Sequence, residues 1–375
     1  MLILSAVLAI FVYGMIVAML GTILPDLSQR FNLTPKQNGS IALAQAIGLI
    51  IASVMVGPLM DIHGKKTGLV LGLAIITVVV FVLPKSRGFN QIATYLFMVG
   101  LGGGIILTGA NALVSDVSSD RRATALTLLS VFFGLGGLAT PFVSANLLGH
   151  NSVRLCRLVA ILSAVTLLVN VMSPIPPPAG RSSFHWSDVQ ALIGSGSLWL
   201  LGCFLFLYVS VEMGVWNWLA RHLIAQGVPE TRALNILSLG FALGLLLGRV
   251  AVSPVLMSVP APAVTLAASA LMAITMYLML QTSNPAVAWV VVFCVGVAMA
   301  PVFPATLAIV GDMFPRRSAT AMGMVITFGF IGLAVSSRII GAIAGHDPKR
   351  LKKALLLLPA SSVIMIVINL ALIVR

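Results

Sequence analysis

Charged side chains are scarce in this sequence: they make up 8% of its 375 residues, and only nine residues are acidic. A soluble domain keeps about a quarter of its residues charged because its surface must be solvated, so this composition argues against a water-soluble fold. Cysteine is equally rare, since Cys156, Cys203 and Cys294 each stand alone inside apolar segments. Without a Cys-x-x-Cys pair or a Cys/His cluster, we expect no disulfide framework, no metal site and no other cofactor.

Apolar residues dominate instead, at 59% of the sequence with a mean hydropathy of +1.10. A helix needs about 20 apolar residues to cross a bilayer, and stretches of that length recur along almost the whole chain. The formal net charge of +13 comes from basic residues scattered through short connections. That pattern is typical of loops beside anionic lipid headgroups, and we expect no nucleic-acid partner.

Polar clusters, prolines and glycines divide the apolar stretches into twelve predicted transmembrane helices. They cover residues 1–27, 36–60, 66–84, 90–115, 121–148, 153–173, 195–222, 231–257, 261–281, 285–311, 317–344 and 351–374. The connection from Pro174 to Gln190 begins with four prolines in five residues, so it cannot be a span. We therefore predict an all-α membrane protein with a six-helix bundle at 1–173, a cytoplasmic linker at 174–194 and a second six-helix bundle at 195–375.

An internal repeat supports the division into two bundles. In the first half Asp116 precedes an Arg-Arg pair at 121–122, and in the second half Asp312 precedes an Arg-Arg pair at 316–317. Each pair lies between the fourth and fifth predicted helices of its own half. Two similar six-helix halves are the arrangement of many secondary transporters, which bind their solute near the bilayer midplane.

The connection between predicted helices 2 and 3 carries a motif that narrows the class. It reads GPLMDIHGKK over residues 57–66 and resembles the signature loop of the major facilitator superfamily, in which Gly, Asp, Gly and two basic residues recur at these spacings. The resemblance implies that the loop lies at the cytoplasmic face and helps to latch the outward-open state. The alternative is an ordinary polar turn with two solvated lysines.

The residues of the motif suggest how such a latch would work. Gly57 permits close helix contact, Gly64 permits a tight turn, and Asp61 can cap a neighbouring helix or pair with an arginine. The predicted latch residues are Gly57, Asp61, Gly64, Lys65, Lys66, Arg121, Arg122, Arg249, Arg316 and Arg317.

The distribution of basic residues conflicts with the orientation that the motif implies. With the motif loop in the cytoplasm, more Lys and Arg residues fall on the outer side, whereas the positive-inside rule predicts their excess in the cytoplasm. A basic cluster that follows Gly345 dominates this excess, so we keep the orientation given by the motif.

Predicted helix 7 carries an acidic residue in its middle, Glu212. A carboxylate inside the membrane is costly unless it is paired, hydrated or protonated, so it is a candidate functional group. Tyr208, Glu212 and Trp216 follow each other at intervals of four and share one helix face. Aromatic rings stack on sugar rings and carboxylates bind hydroxyls, so this stripe suits a hexose. Alternatively, the tryptophan anchors the helix at an interface and Glu212 pairs with an arginine.

Three short stretches resemble the fucose/galactose/glucose:proton symporter branch of the superfamily. They are the Tyr-Val-x-x-Glu segment with its tryptophan at 208–216, the Gly-Arg pair at 248–249, and the Gly-Ala-Asn triplet at 109–111. The predicted solute-binding residues are Gln45, Asn111, Tyr208, Glu212, Trp216 and Asn217.

The chain departs from that branch where proton coupling is concerned. The branch's symporters place acids within helices 1 and 4, but the corresponding stretches at 19–25 and 106–111 contain none. Glu212 is therefore the predicted proton-coupling residue, because desolvation disfavours the charged form of a buried carboxyl group. Uniport and coupling to another ion remain open.

We predict a secondary transporter, not an enzyme, that moves a small polar solute, most plausibly a monosaccharide, by alternating access. It would work as a monomer in the inner membrane of a bacterium, with protons or another ion as coupling partner. Two alternatives stay open: an efflux antiporter for amphipathic compounds, and a membrane-embedded transferase. No ATP-binding loop occurs in the sequence.

Overall fold

The computed structural model describes residues 2–149, 151–174, 186–282, 284–344 and 348–373. Within them, twelve helical segments are long and apolar enough to cross a membrane. This confirms the predicted all-α membrane fold with its twelve spans. Residues 175–185 of the predicted linker lie outside the described residues, and the linker's last residues form a short helix.

The first half of the chain contains six long helices followed by one short helix. Their bounds are α1 Leu2–Arg30, α2 Pro35–His63, α3 Lys65–Val82, α4 Phe89–Val117, α5 Arg122–Asn146, α6 Ser152–Met172 and α7 Trp186–Ile193. Pro25 does not end α1, which continues to Arg30 and includes the exposed Asp26.

In the described part of the second half, six spans are built from nine helices. Their bounds are α8 Gly196–Ala225, α9 Glu230–Asn235, α10 Leu243–Val255, α11 Ala261–Gln281, α12 Pro285–Met299, α13 Val302–Met313, α14 Ser318–Ala344, α15 Pro348–Leu355 and α16 Leu357–Ile373. The span Glu230–Val255 joins α9 to α10 through a π-helical stretch, Ile236–Ala242. Pro301 lies between α12 and α13, where its missing N–H interrupts the helical hydrogen bonds.

Helix starts follow local capping rules. Thr34 and Gln37 form a reciprocal capping box at the start of α2, with Pro35 at the first helical position. Asn151 accepts a hydrogen bond from the backbone N–H of Arg154 at 2.9 Å and caps α6. These side chains satisfy backbone N–H groups that have no partner inside the helix, so the sequence itself sets where the spans begin.

The chain divides into two compact units. Unit 1 contains Met1–Ser119, Leu129–Val189 and Phe314–Met324, and unit 2 contains Asp120–Leu128, Gln190–Met313 and Val325–Arg375. The first turns of α5 and α14 therefore belong to a different unit from the rest of each helix.

In unit 1, glycines let helix backbones touch. A Cβ on Gly48 of α2 would overlap the carbonyl oxygen of Phe97 on α4, and one on Gly100 of α4 would overlap the carbonyl oxygen of Gln45 on α2. Helices in lipid associate through such close packing, because no hydrophobic driving force acts between them there. The α2–α4 pair makes an extensive contact within this unit.

In unit 2, glycines bring helix backbones together at the equivalent pair of helices. A Cβ on Gly244 of α10 would overlap the carbonyl oxygen of Phe293 on α12, and one on Gly296 of α12 would overlap that of Phe241. The second and fourth spans of each half thus pack backbone to backbone. The internal repeat is therefore visible in the packing as well as in the sequence.

We predict that Gly100→Ala destabilises the protein by about 1–3 kcal/mol, because the added methyl group must push α4 away from α2. Thermal unfolding of the detergent-purified protein measures the effect. Gly21→Ala in α1 is the matched control, since nothing lies within 4 Å of the position of its Cβ. Equal melting temperatures for the two variants would contradict the packing role.

Candidate functional site

The motif loop makes a one-residue turn between α2 and α3. Gly64 adopts φ +91° and ψ 150°, a conformation that residues with a Cβ rarely adopt. Its N–H still bonds to the carbonyl oxygen of Met60 at 2.9 Å. The turn therefore sets Asp61, in the last turn of α2, beside Lys65, in the first turn of α3.

Within unit 1, Asp61 caps the start of α14. Its carboxylate accepts hydrogen bonds from the backbone N–H of Ala319 at 3.3 Å, from the N–H of Thr320 at 2.9 Å and from the Thr320 hydroxyl at 2.6 Å. Asp61 is buried, with 4% of its surface exposed. A negative charge at a helix N-terminus is favourable because unpaired N–H groups and the helix dipole both point at it.

Lys65 and Ser318 complete this cluster. The Lys65 ammonium group lies between two carboxylates: it is 3.3 Å from Asp61 and 2.8 Å from Asp116, which is in the last turn of α4. Ser318 donates to Asp116 at 2.8 Å. Gly57 is required for the approach, because a Cβ there would lie 2.5 Å from the Cα of Thr320.

The structure gives the other predicted latch residues different surroundings. Arg122 pairs with Asp312 inside unit 2, Lys66 donates to the carbonyl oxygen of Ser173 at 2.9 Å, and Arg121 and Arg316 are exposed. Arg317 is half-buried.

Sequence reasoning did not assign Asp116, Ser318, Ala319 and Thr320 to the latch. The repeat of Asp116 and Asp312 before paired arginines was the available signal for the first of them. The Ala-Thr dipeptide that follows each arginine pair is part of the same repeat. In unit 2 the equivalent threonine, Thr124, donates to the carbonyl oxygen of Ser253 at 3.2 Å.

The second group of functional candidates lies in unit 2, where α8 faces α10. Glu212 interacts electrostatically with Arg249, and the side chains of Tyr208 and Trp216 also act on its carboxylate. Tyr208 is fully buried and Arg249 is 7% exposed, whereas Glu212 and Trp216 are partly exposed. We call Tyr208, Glu212, Trp216 and Arg249 the carboxylate cluster.

The placement of Arg249 differs from the predicted latch role. It lies six residues before the end of α10, which is deep enough to meet the middle of α8. Removing a guanidinium group from water is costly unless an anion pairs with it, and Glu212 is an acidic side chain that interacts electrostatically with it.

Aromatic packing orients the cluster. The ring of Trp216 meets the ring of Phe241 edge to face, with centroids 5.2 Å apart. Phe241 belongs to the π-helical stretch Ile236–Ala242. A π-bulge changes which side chains face a neighbouring helix, and such bulges are frequent at functional sites.

The Tyr208 hydroxyl lies in the cluster without a regular hydrogen bond to any described residue. It faces both Glu212 and Arg249, yet it makes no hydrogen bond of normal length and geometry among the described residues. The cluster offers a phenol, a carboxylate, a guanidinium and an indole N–H, which can donate to and accept from a polyhydroxylated solute.

The remaining predicted solute contacts have different surroundings. Asn217 is exposed, one residue beyond Trp216 and off the face that carries Glu212. In unit 1, the side-chain amide of Asn111 donates to the carbonyl oxygen of Leu107 at 2.8 Å. This is a bond within its own helix. The side-chain oxygen of Gln45 is buried and makes no hydrogen bond to any described residue.

Comparison with known proteins decides the family. The family model described as Major Facilitator Superfamily matches residues 6–337.

The chain belongs to the major facilitator superfamily.

Curated relatives of this superfamily member include the glucose/mannose transporter GlcP of Bacillus subtilis, 22% identical over 90% of the chain and 86% of GlcP. Protein TsgA of Shigella boydii is 23% identical over 89% of the chain and 85% of TsgA. The 4-hydroxybenzoate transporter PcaK of Pseudomonas aeruginosa is 29% identical, but the match covers 43% of the chain and 37% of PcaK.

Among solved structures, the fold is similar to FucP in the outward conformation, with a TM-score of 0.87, 16% identity and coverage of 99% of this chain and 98% of that one. The proton:xylose symporter XylE gives a TM-score of 0.79 at 13% identity, over 98% of this chain and 94% of that one. Family and fold are those of membrane transporters. The superfamily member is a multi-pass membrane protein, and its bacterial relatives support the inner membrane as its location.

We predict that Asp61→Asn slows transport and lowers stability by about 1–3 kcal/mol, while solute affinity changes little. The amide keeps one acceptor but turns a donor toward the N–H groups at the start of α14. Thermal unfolding and initial rates in proteoliposomes measure the two effects. Glu230→Gln, which likewise replaces a carboxylate by an amide but at an exposed position, is the control. A large affinity loss in Asp61→Asn would contradict a latch role.

A second prediction concerns the charge pair. We expect Arg249→Gln to destabilise the protein by about 1–3 kcal/mol, less than a fully buried pair because Glu212 is partly exposed. The double variant Glu212→Gln/Arg249→Gln should recover most of this loss, since neither charge is then left unpaired. A double-mutant cycle of melting temperatures measures the coupling, and additive losses would argue against a direct pair.

Proposed function

We propose that this superfamily member is a secondary transporter of a neutral monosaccharide, with Glu212 as the residue that couples transport to protons. The carboxylate cluster carries the proposal. It combines one acidic and one basic side chain, which interact electrostatically, with two aromatic side chains, and a neutral polar solute would leave the balance of their charges undisturbed.

The proposed solute contacts follow from the chemistry of the cluster. Sugar hydroxyls can accept from Arg249 and the indole N–H of Trp216, and can donate to Glu212. The Tyr208 hydroxyl, which lacks a normal hydrogen bond, supports this assignment because a buried polar group without a partner is costly. The unpaired side-chain oxygen of Gln45 supports a further contact. Asn111 and Asn217 remain proposed contacts with weaker support.

Coupling is proposed to run through the ion pair. Protonation of Glu212 leaves Arg249 without a counter-charge, and solute hydroxyls that accept from the guanidinium then stabilise it. Proton binding and solute binding therefore favour each other, and this mutual preference is the thermodynamic condition for symport. The printed names of relatives agree with this class, since GlcP is named a glucose/mannose transporter and XylE a proton:xylose symporter.

The latch residues are proposed to control the rate of the conformational cycle. Asp61, Lys65 and Gly57 hold the start of α14 against α2 within unit 1, and this contact must break whenever α14 moves. The bundles at 1–173 and 195–375 are the proposed moving bodies.

A second substrate class has one specific observation in its favour. The partial match to PcaK is the most identical of the relatives given above, and Arg249 could bind the carboxylate of an aromatic acid. A carboxylate solute would compete with Glu212 for the same guanidinium.

The test is uptake of labelled glucose, xylose, fucose and 4-hydroxybenzoate into proteoliposomes, with and without an inward proton gradient. We expect a hexose or pentose to accumulate above its outside concentration only with the gradient, and a protonophore to abolish the effect. Uptake of 4-hydroxybenzoate alone would replace the sugar with an aromatic acid. No uptake of any of them would favour the efflux alternative.

Glu212→Gln isolates the coupling step. We predict that gradient-driven accumulation falls to simple equilibration, because the amide cannot exchange a proton, while equilibrative exchange of solute continues. Glu230→Gln serves as the control and should accumulate solute like the unmodified protein. Accumulation that persists in Glu212→Gln would remove Glu212 from the coupling mechanism.

A further inference from the structure

The basic cluster that follows Gly345 forms a short helix, α15, between the last two spans. Its sequence, PKRLKKAL, contains four basic residues and no acidic one. Transport as proposed above does not use these residues, although they dominate the excess of positive charge on their side of the membrane. A separate role is therefore needed to explain so many charges in so short a segment.

The position of α15 along the chain sets it at the membrane surface. The helix that follows it, α16, has 17 residues and is about 26 Å long at 1.5 Å per residue. That length crosses most of a hydrocarbon core of about 30 Å. The charged helix that precedes it therefore lies at the level of the lipid headgroups.

One side of α15 is docked onto unit 2. Leu351, Ala354 and Leu355 are almost completely buried, at 2%, 1% and 1% exposure, and the helix packs against α8. Lys352 donates to the side-chain oxygen of Gln281, at the end of α11, at 2.9 Å. These contacts hold the helix in a single orientation.

The opposite side of the same helix is charged. At 100° per residue, Arg350, Lys352 and Lys353 fall on the half of the helix that faces away from the three buried residues. Arg350 and Lys353 are exposed. A basic amphipathic helix at this depth attracts anionic headgroups through both its charge and its location.

We propose that α15 is a binding surface for the headgroups of anionic phospholipids in the leaflet that it faces. Arg350 and Lys353 supply the exposed charges, and Lys352 helps to fix the helix to the end of α11. This surface is independent of the carboxylate cluster, so its test does not depend on transport activity.

The test uses the full chain, purified in a neutral detergent and titrated with phosphatidylglycerol or phosphatidylcholine, with the rise in melting temperature as readout. Phosphatidylglycerol should stabilise the protein at lower concentration than phosphatidylcholine. In Arg350→Gln/Lys353→Gln the half-saturating concentration of phosphatidylglycerol should rise by about fivefold for each charge removed. Higher salt should weaken the effect, because the charges are exposed.

Arg154→Gln/Arg157→Gln is the matched control, because it removes two exposed basic residues from the start of α6, which the predicted topology puts on the same side of the membrane. It should bind phosphatidylglycerol like the unmodified protein. If the double variant of α15 gives too little protein, Lys353→Gln alone should still weaken binding about fivefold. The proposal would be overturned if the control variant lost as much phosphatidylglycerol affinity as the α15 variant. It would also be overturned if the protein showed no preference for the anionic lipid, or if inorganic phosphate competed fully with it.

Discussion

Lipid hydrocarbon offers neither hydrogen-bond donors nor acceptors, so each polar group that a membrane-spanning chain carries must find a partner within the protein. Helices satisfy the backbone, and many serine and threonine side chains donate to the carbonyl oxygen four residues earlier, as Ser53 and Thr306 do. The amide nitrogen of Asn170 donates in the same way and also donates to the carbonyl oxygen of Ser5 on α1. Acidic and basic side chains cannot be satisfied within their own helix in this way, and the motif cluster and the carboxylate cluster bring such groups together from different helices.

The same constraint explains the glycines. Because lipid is as apolar as leucine, helices associate here through close contact and not through hydrophobic burial. Gly48 and Gly100 in unit 1, and Gly244 and Gly296 in unit 2, bring backbones together at equivalent pairs of spans. Such contacts hold the second and fourth spans of each half together.

The two polar clusters solve the problem of buried charge differently. Asp61 is neutralised by Lys65 and by the N–H groups at the start of α14, which ties a carboxylate to a helix end. Glu212 instead interacts electrostatically with the guanidinium group of Arg249 on α10. The first arrangement suits a contact that holds two elements together, and the second suits a group whose charge can change when a proton or solute binds.

The sequence alone determined the fold class, the twelve spans and the motif loop. Bilayer thickness fixes how long an apolar run must be, and the cost of exposing backbone groups to lipid forces each run to be a helix, so run lengths and turn residues are sufficient. The sequence also pointed to Glu212, since a carboxylate in a span needs a partner. Only the tertiary structure decided which partner: Arg249 on α10 comes near Glu212 through helix packing, which no local pattern records. For Asp61 the sequence suggested either a cap on another helix or an arginine partner, and only the tertiary structure decided for the cap, on the distant backbone of Ala319 and Thr320.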